Sequence, residues 1–242
     1  MSGSLTPKLR KLPAAQQALW RQLSPLVGLG MVLHGGTAIA LRLGHRVSVD
    51  FDFFSRQALD RRLLARALPV LGSATTLQDE PNSWTLLVPV SGIEVKVSFF
   101  GEIALGPLAE PTLTNDGVAL VASLPDLFAQ KLKVVMQRVE AKDYLDIAAM
   151  LRAGQRLRDG MNGAMTLFGI QFSPMDCAKA LVYFKGGDLT SVPVRDRETL
   201  LRAVRLLPKQ LEDRPSRAGD ATGDKTEDFN RDGGMSKKKR ES

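Results

Sequence analysis

Between residues 47 and 54 the chain reads Val47-Ser48-Val49-Asp50-Phe51-Asp52-Phe53-Phe54, an alternation that asks for a strand. Residues two apart share a face, so Val49, Phe51 and Phe53 point one way and Ser48, Asp50 and Asp52 the other. Aspartate is depleted in strands, and two on one face stand roughly 7 Å apart and repel. Their apolar neighbours argue for partial burial, where repulsion and desolvation are worst. A divalent cation relieves both, and hard oxygen ligands at this spacing suit Mg²⁺ carrying phosphates. An exposed sheet face that holds both aspartates harmlessly is the plainer alternative.

One short helix upstream lies His34-Gly35-Gly36-Thr37, which closes the apolar run Met31–His34. Glycines let backbone approach a ligand, and a helix N-terminus offers free N–H groups to a phosphate. Thr37 is read as the N-cap of a helix ended by Gly44, with a hydroxyl to donate. A Gly-Gly turn alone is weak, but followed by Asp50 and Asp52 it makes a minimal apparatus for a nucleoside triphosphate. No Gly-x4-Gly-Lys-Ser/Thr occurs, so the turn is not a P-loop.

Around these motifs the chain divides in two. Leu19, Trp20, Leu23 and Leu26 are spaced for one helix from Ala14 to Leu26, and Ala58–Leu68 for another. Strands are expected at Ala74–Leu77, Trp84–Val90 and Ile93–Phe100, the last two joined by the hairpin signal Ser91-Gly92. The second half reads as helices: from Ser123 to about Arg138, Lys142–Ala153, Ser173 to about Phe184, and Arg197–Leu206. The expected organisation is α+β, with a core over 1–122, a helical region over 123–212, and a polar tail over 213–242 too poor in apolar residues to fold.

Composition removes whole classes. Cys177 is the single cysteine and there are two histidines, which excludes a disulfide framework and a Cys/His structural zinc site and fits a cytoplasmic protein. The longest stretch without formal charge, Gln22–Leu41, contains Pro25, four glycines and His34 and is unfit to span a membrane. Met1–Lys11 lacks the apolar core of an export signal. A net charge of +7 favours an anionic partner such as nucleotide or RNA, though many basic proteins bind neither. The run Lys237-Lys238-Lys239-Arg240 is more simply a solubilising tail.

In the second half, Leu124, Leu127, Phe128, Leu132, Val134 and Val135 form one apolar arc of a helical wheel, and Lys131 falls inside it. Such a lysine either snorkels to solvent or reaches an anion in the interior. Arg138, also in the arc, is excused as a charge at a helix C-terminus. In Lys142-Asp143-Tyr144-Leu145-Asp146, Lys142 and Asp146 have i,i+4 spacing and the polar residues read as a solvated face.

Taken together, His34–Phe54, Gln130-Lys131 and Lys142–Asp146 resemble the AbiEii/AbiGii toxin family of nucleotidyltransferases. The resemblance spans roughly residues 20–207. It implies a minimal nucleotidyltransferase fold, a mixed sheet followed by a helical C-terminal region. It also implies a toxin of a type IV toxin–antitoxin or abortive-infection system whose antitoxin is encoded nearby. Gly35, Gly36 and Thr37 would then hold the triphosphate, and Asp50 and Asp52 would bind Mg²⁺. Lys131 would neutralise charge, and Lys142, Asp143 and Asp146 would complete the site. One departure stands out: a third aspartate is usual on a neighbouring strand, and here Ile93–Phe100 offers Glu94, Lys96 and Ser98 on that face. Glu94 as a displaced carboxylate, or Asp143 and Asp146, are the candidates to replace it.

The reading is an enzyme that transfers a nucleoside monophosphate from an NTP to an acceptor hydroxyl, with a tRNA 3′ end as the candidate. Its rivals are an NTP-binding regulatory module without turnover and an RNA-binding protein that uses only its basic surface.

Overall fold

The structure, a computed structural model, describes residues 4–103 and 106–207. The expected disordered tail and its basic run lie outside the described residues. Seven strands form one mixed sheet in the order β3-β4-β5-β2-β1-β7-β6. They are β1 Val32–His34, β2 Phe51–Phe54, β3 Thr75–Glu80, β4 Ser83–Val90, β5 Ile93–Phe100, β6 Thr112–Leu113 and β7 Leu120–Val121. The β2–β5 and β1–β7 pairs are parallel and the other pairs antiparallel. The helices are α1 Ala14–Trp20, α2 Pro25–Gly28, α3 Gly35–Leu43, α4 Arg61–Ala67, α5 Leu124–Val134, α6 Ala141–Arg152, α7 Leu157–Phe168, α8 Pro174–Leu181 and α9 Val194–Arg205. None of the described helices is long and apolar enough to cross a membrane.

The β4–β5 hairpin closes as its turn residues require, with Ser91 and Gly92 both at positive φ. On one face of the sheet Leu33, Phe51, Phe53, Val97 and Phe99 are fully buried. Trp20 of α1 stacks on that face, its ring 6.2 Å from Phe51. Burying three such phenylalanines contributes on the order of 5 kcal/mol or more to folding. The opposite face carries His34, Asp52 and Ser98 side by side, because His34 pairs with Asp52 and Asp52 with Ser98. Register alone thus lines up the chemistry-bearing residues.

Several elements differ from expectation for physical reasons. The helix expected over 14–26 breaks into α1, a 3-10 turn at Arg21–Leu23, and α2, since Pro25 cannot donate to the preceding turn. Leu19, Trp20, Leu23 and Leu26 are all buried nonetheless. The strand expected over 47–54 is regular only from Phe51. Val47 and Val49 are exposed and Ser48 is buried, the reverse of the expected alternation. Here the N-terminal segment supplies the partners: Ser48 N–H donates to the Lys11 carbonyl and Gln16 Nε2 to the Val49 carbonyl.

Helix α5 starts as expected, with Ser123 Oγ accepting from Asp126 N–H, but it stops at Val134, short of Arg138. Helix α7 is absent from the sequence expectations because Gly160 and Gly163 depress helix propensity. The reason for those glycines is contact: a β-carbon on Gly160 would collide with the Phe128 ring of α5, and one on Gly163 would stand 2.6 Å from Leu108. β6 and β7 are two residues each, too short to carry an alternation. One apolar cluster runs from Trp20 and Phe53 through Phe128 to Ile147 and Leu200, joining sheet and helical region.

Candidate active site

β1 ends at His34, and the chain turns straight into α3 through Gly35 at φ +69°, where a side chain would be strained. A β-carbon on Gly35 would stand 2.6 Å from Asp52 Oδ2, and one on Gly36 would overlap the Arg46 guanidinium. Both glycines therefore exist to let charged side chains approach the start of α3. The N-cap is His34, not Thr37, which lies inside the first turn. The first-turn N–H groups of Gly35, Gly36 and Thr37 have no helical acceptor, so they can face an anion. The Thr37 hydroxyl is already engaged: it donates to the Asp50 carbonyl and shares a 2.8 Å hydrogen bond with Ser48 Oγ. What that side chain does here is fix the backbone at Asp50.

Asp50 and Asp52 share the open face of the sheet beside this turn. Lys96 Nζ lies 3.5 Å from Asp50 Oδ2, a half-exposed and hence weak pair. Burial, and then the charge of Asp50, push the Asp52 carboxyl above its ordinary value, against the pull of Lys96, a Ser98 hydrogen bond and Lys131. On β5 the residue in register with Asp52 is Ser98, so the position of a third carboxylate holds a hydroxyl. Glu94 is exposed opposite Pro89 near the hairpin end, four residues and roughly 13 Å along the strand from Ser98. The register does not bring Glu94 to the aspartate pair.

The second half contributes a buried charge cluster. Lys131 is 7% exposed and reaches inward, with Nζ 2.5 Å from Asp143 Oδ1 and 2.7 Å from Asp146 Oδ2. Arg138 donates to both oxygens of Asp143, at 2.8 and 3.1 Å. Arg46 forks onto Asp146 at 2.6 and 2.9 Å, and His45 Nε2 lies 2.6 Å from the same carboxylate. Burial alone would raise both acids. The His45 and Arg46 hydrogen bonds and the Lys131 charge outweigh it at Asp146, and Arg138 and Lys131 do so at Asp143, so both sit below the usual carboxylate range.

The solvated-face expectation for α6 is therefore corrected: Asp143 and Asp146 have no exposed surface. The expected Lys142–Asp146 pair is absent too, since Lys142 Nζ binds Glu140 Oε2 at 2.8 Å on the half-exposed side of the helix. The structure brings Lys131, Asp143 and Asp146 together and leaves Lys142 outside their cluster.

His45, Arg46 and Arg138 are the residues that sequence reasoning did not place at the site. A signal for Arg46 existed: two acids one helical turn apart among apolar residues of α6 need cations from elsewhere. Which cation answers, 100 residues away, only the tertiary structure tells.

Among the described residues no group of three or more His, Cys, Asp or Glu side chains forms a ready metal cage. The Asp50–Asp52 pair still fits Mg²⁺, which takes one or two carboxylates and fills its remaining positions with substrate phosphates and water. Burial first, and then the like charge of Asp50, disfavour an ionised Asp52, and a cation held by the pair would relieve both.

Comparison with known proteins places the chain beside a family and individual relatives. The family model described as nucleotidyl transferase AbiEii toxin, type IV toxin–antitoxin system, matches residues 18–199. An uncharacterized protein of Aquifex aeolicus (strain VF5) is 32% identical over 185 residues, 73% of this chain and 85% of that protein. Among solved structures, MenT4, a nucleotidyltransferase toxin from Mycobacterium tuberculosis H37Rv, aligns with a TM-score of 0.47 and 17% identity, over 82% of this chain and 89% of that one.

Proposed function

The chain belongs to the AbiEii family of nucleotidyl transferase toxins of type IV toxin–antitoxin systems, and from that premise we propose that it is a Mg²⁺-dependent enzyme transferring a nucleoside monophosphate from an NTP to an RNA hydroxyl. An NTP substrate and an antitoxin partner come with the family. The Mg²⁺, the RNA acceptor (a tRNA 3′ end first among candidates) and the residue roles are our reading.

The observation that carries it is the contact of the glycine turn with Asp52, which sets an anion-binding helix start against a carboxylate. The N–H groups of Gly35, Gly36 and Thr37 hold the β- and γ-phosphates, with the Arg46 guanidinium over Gly36 adding charge. Asp50 and Asp52 hold Mg²⁺, which when bound neutralises charge on the phosphates. The acceptor oxygen attacks the α-phosphorus, the bond to the β-phosphate oxygen breaks, and pyrophosphate leaves. The hydroxyl proton leaves to solvent water, since Asp50 and Asp52 are engaged by the metal and a hydroxyl, Ser98, stands in register with Asp52 where a third carboxylate could act as base. Asp143 and Asp146 are held ionised by three cations, Lys131, Arg46 and Arg138, so their role is to fix Lys131 and Arg46 in place rather than to take up a proton.

The test is to incubate purified protein with labelled NTPs, Mg²⁺ and total RNA. Label is expected in RNA with the wild type and absent with Asp52→Ala. Absence of transfer by the wild type with every NTP overturns the reading. The Lys96–Asp50 ion pair and Ser98 at the third-acid position favour one second reading, a module that binds NTP without turnover. Calorimetric NTP binding without label transfer would single that out.

A further inference from the structure

On the open face of the sheet, a cavity of about 420 Å³ lies between β1, β2, β7 and the helices α5 and α7. Its walls include Val32, His34, Phe54, Leu120, Gln130 and Phe168. No step of the proposed reaction uses it. Its position is nonetheless tied to the aspartates: His34, which lines it, is the register partner of Asp52, and Phe54, which lines it, is two residues along the same strand. Along β2 the charge belongs to the other end, where Lys96 meets Asp50.

The chemistry of the walls is that of a flat, neutral guest. Phe54 is half-buried, with the His34 ring 4.6 Å away on one side and Phe100 4.8 Å away on the other. Gln130 Oε1 meets His34 Nδ1 at 3.0 Å, which places a side-chain amide at the cavity edge. Arg56 lines the cavity, but so do Glu110 and Asp126, so the walls hold no excess of positive charge for a phosphate. The volume sits at the small end of ligand pockets, room for one nucleoside and too little for paired or stacked RNA.

We propose that this cavity is the nucleobase subsite of the incoming NTP, with the base against Phe54 and its edge at Gln130, while the polyphosphate runs to the Gly35–Gly36 turn. The proposal rests on the reading of Asp50 and Asp52 as the reaction centre, since that fixes the α-phosphate between the two ends. A base on an aromatic platform binds by stacking, which tolerates every base; discrimination falls to the amide.

The experiment is calorimetry on the full chain with Mg²⁺ and two titrants, an NTP and inorganic tripolyphosphate. Phe54→Ala removes the platform, and Leu120→Trp fills the cavity from the opposite wall without removing any aromatic. Each variant is expected to weaken NTP binding by about tenfold or more, the size of one lost stacking contact. Tripolyphosphate binding is expected to stay within about twofold of the wild type, since that ligand has no base to lose. Unchanged NTP affinity in both variants overturns the proposal, and so does an equal loss for both titrants. A rise in the KM for RNA with NTP affinity intact also overturns it and hands the cavity to the acceptor's terminal nucleoside. If the wild type binds neither titrant, the nucleotidyltransferase reading itself has failed, an outcome distinct from the others.

Discussion

Gly35 abuts Asp52 so closely that a β-carbon on the glycine would stand 2.6 Å from the carboxylate Oδ2, and the glycine also holds a φ of +69°. Two penalties meet at one residue. Gly35→Ala is expected to lose about 1–3 kcal/mol of stability and to displace Asp52. Gly28, with nothing within 4 Å of its missing β-carbon, supplies the control substitution. Urea midpoints and label-transfer rates of the two alanine variants check this; equal behaviour of the pair would refute the contact's importance.

Asp52 is a group that function keeps at the expense of stability. Asp52→Asn removes a charge that burial and Asp50 both disfavour, so its Tm is expected to equal or exceed the wild type's. Its transfer rate is expected to fall on the order of 10² to 10³-fold, as for loss of one charge-stabilising group. Calorimetric scans alongside the transfer assay separate the two effects. A variant both less stable and fully active contradicts the assignment.

Lys131→Met leaves two fully buried carboxylates without their shared ammonium. The expected loss is about 3–5 kcal/mol, the cost of breaking a buried pair from one side. Adding Asp143→Asn to Lys131→Met is expected to recover part of it, and a double-mutant cycle in urea measures the coupling.

Stability should fall in acid through the same cluster. Asp143 and Asp146 have depressed folded-state values, so their contribution is complete above the ordinary carboxylate value of 3.8 and is lost as pH falls below it. Urea midpoints are expected to be level with respect to this cluster above about pH 5 and to drop from about pH 4 downward. Asp146→Asn is expected to flatten that acid limb; an unchanged limb would show that other carboxylates govern it.

Gly160 tests the helical region independently of chemistry. Gly160→Ala drives a methyl into the Phe128 ring, and overpacking of this kind costs about 1–3 kcal/mol although alanine is the better helix former. A stabilised variant would mean that α7 does not pack on α5 in this way.

The parts of the site legible in the sequence were the local ones. Gly35, Gly36, Asp50 and Asp52 lie within 18 residues; turn chemistry and the β1–β2 pairing bring Gly35 against Asp52, and Thr37 ties the backbone at Asp50 just before the strand. Lys131 was visible as a charge inside an apolar arc, which its burial explains. Asp143 and Asp146 were misplaced on a solvated face because the cations that permit their burial come from other elements, Arg46 from the segment before β2 and Lys131 from α5. Helix α7 escaped because the glycines that lower its propensity are those its packing requires. The break at Pro25 was written in the sequence and outweighed by apolar spacing that carries across it.

The clamp of His45 and Arg46 on Asp146 has a consequence for protein engineering. A chimera that joins the sheet of this protein to the helices of a relative inherits Arg46 as an orphan unless the donor supplies an acid at the same place. The boundary that the sequence suggests near residue 122 is therefore a poor place to cut: modular exchange would have to carry the charged tripod of Arg46, Lys131 and Asp146 across as one unit.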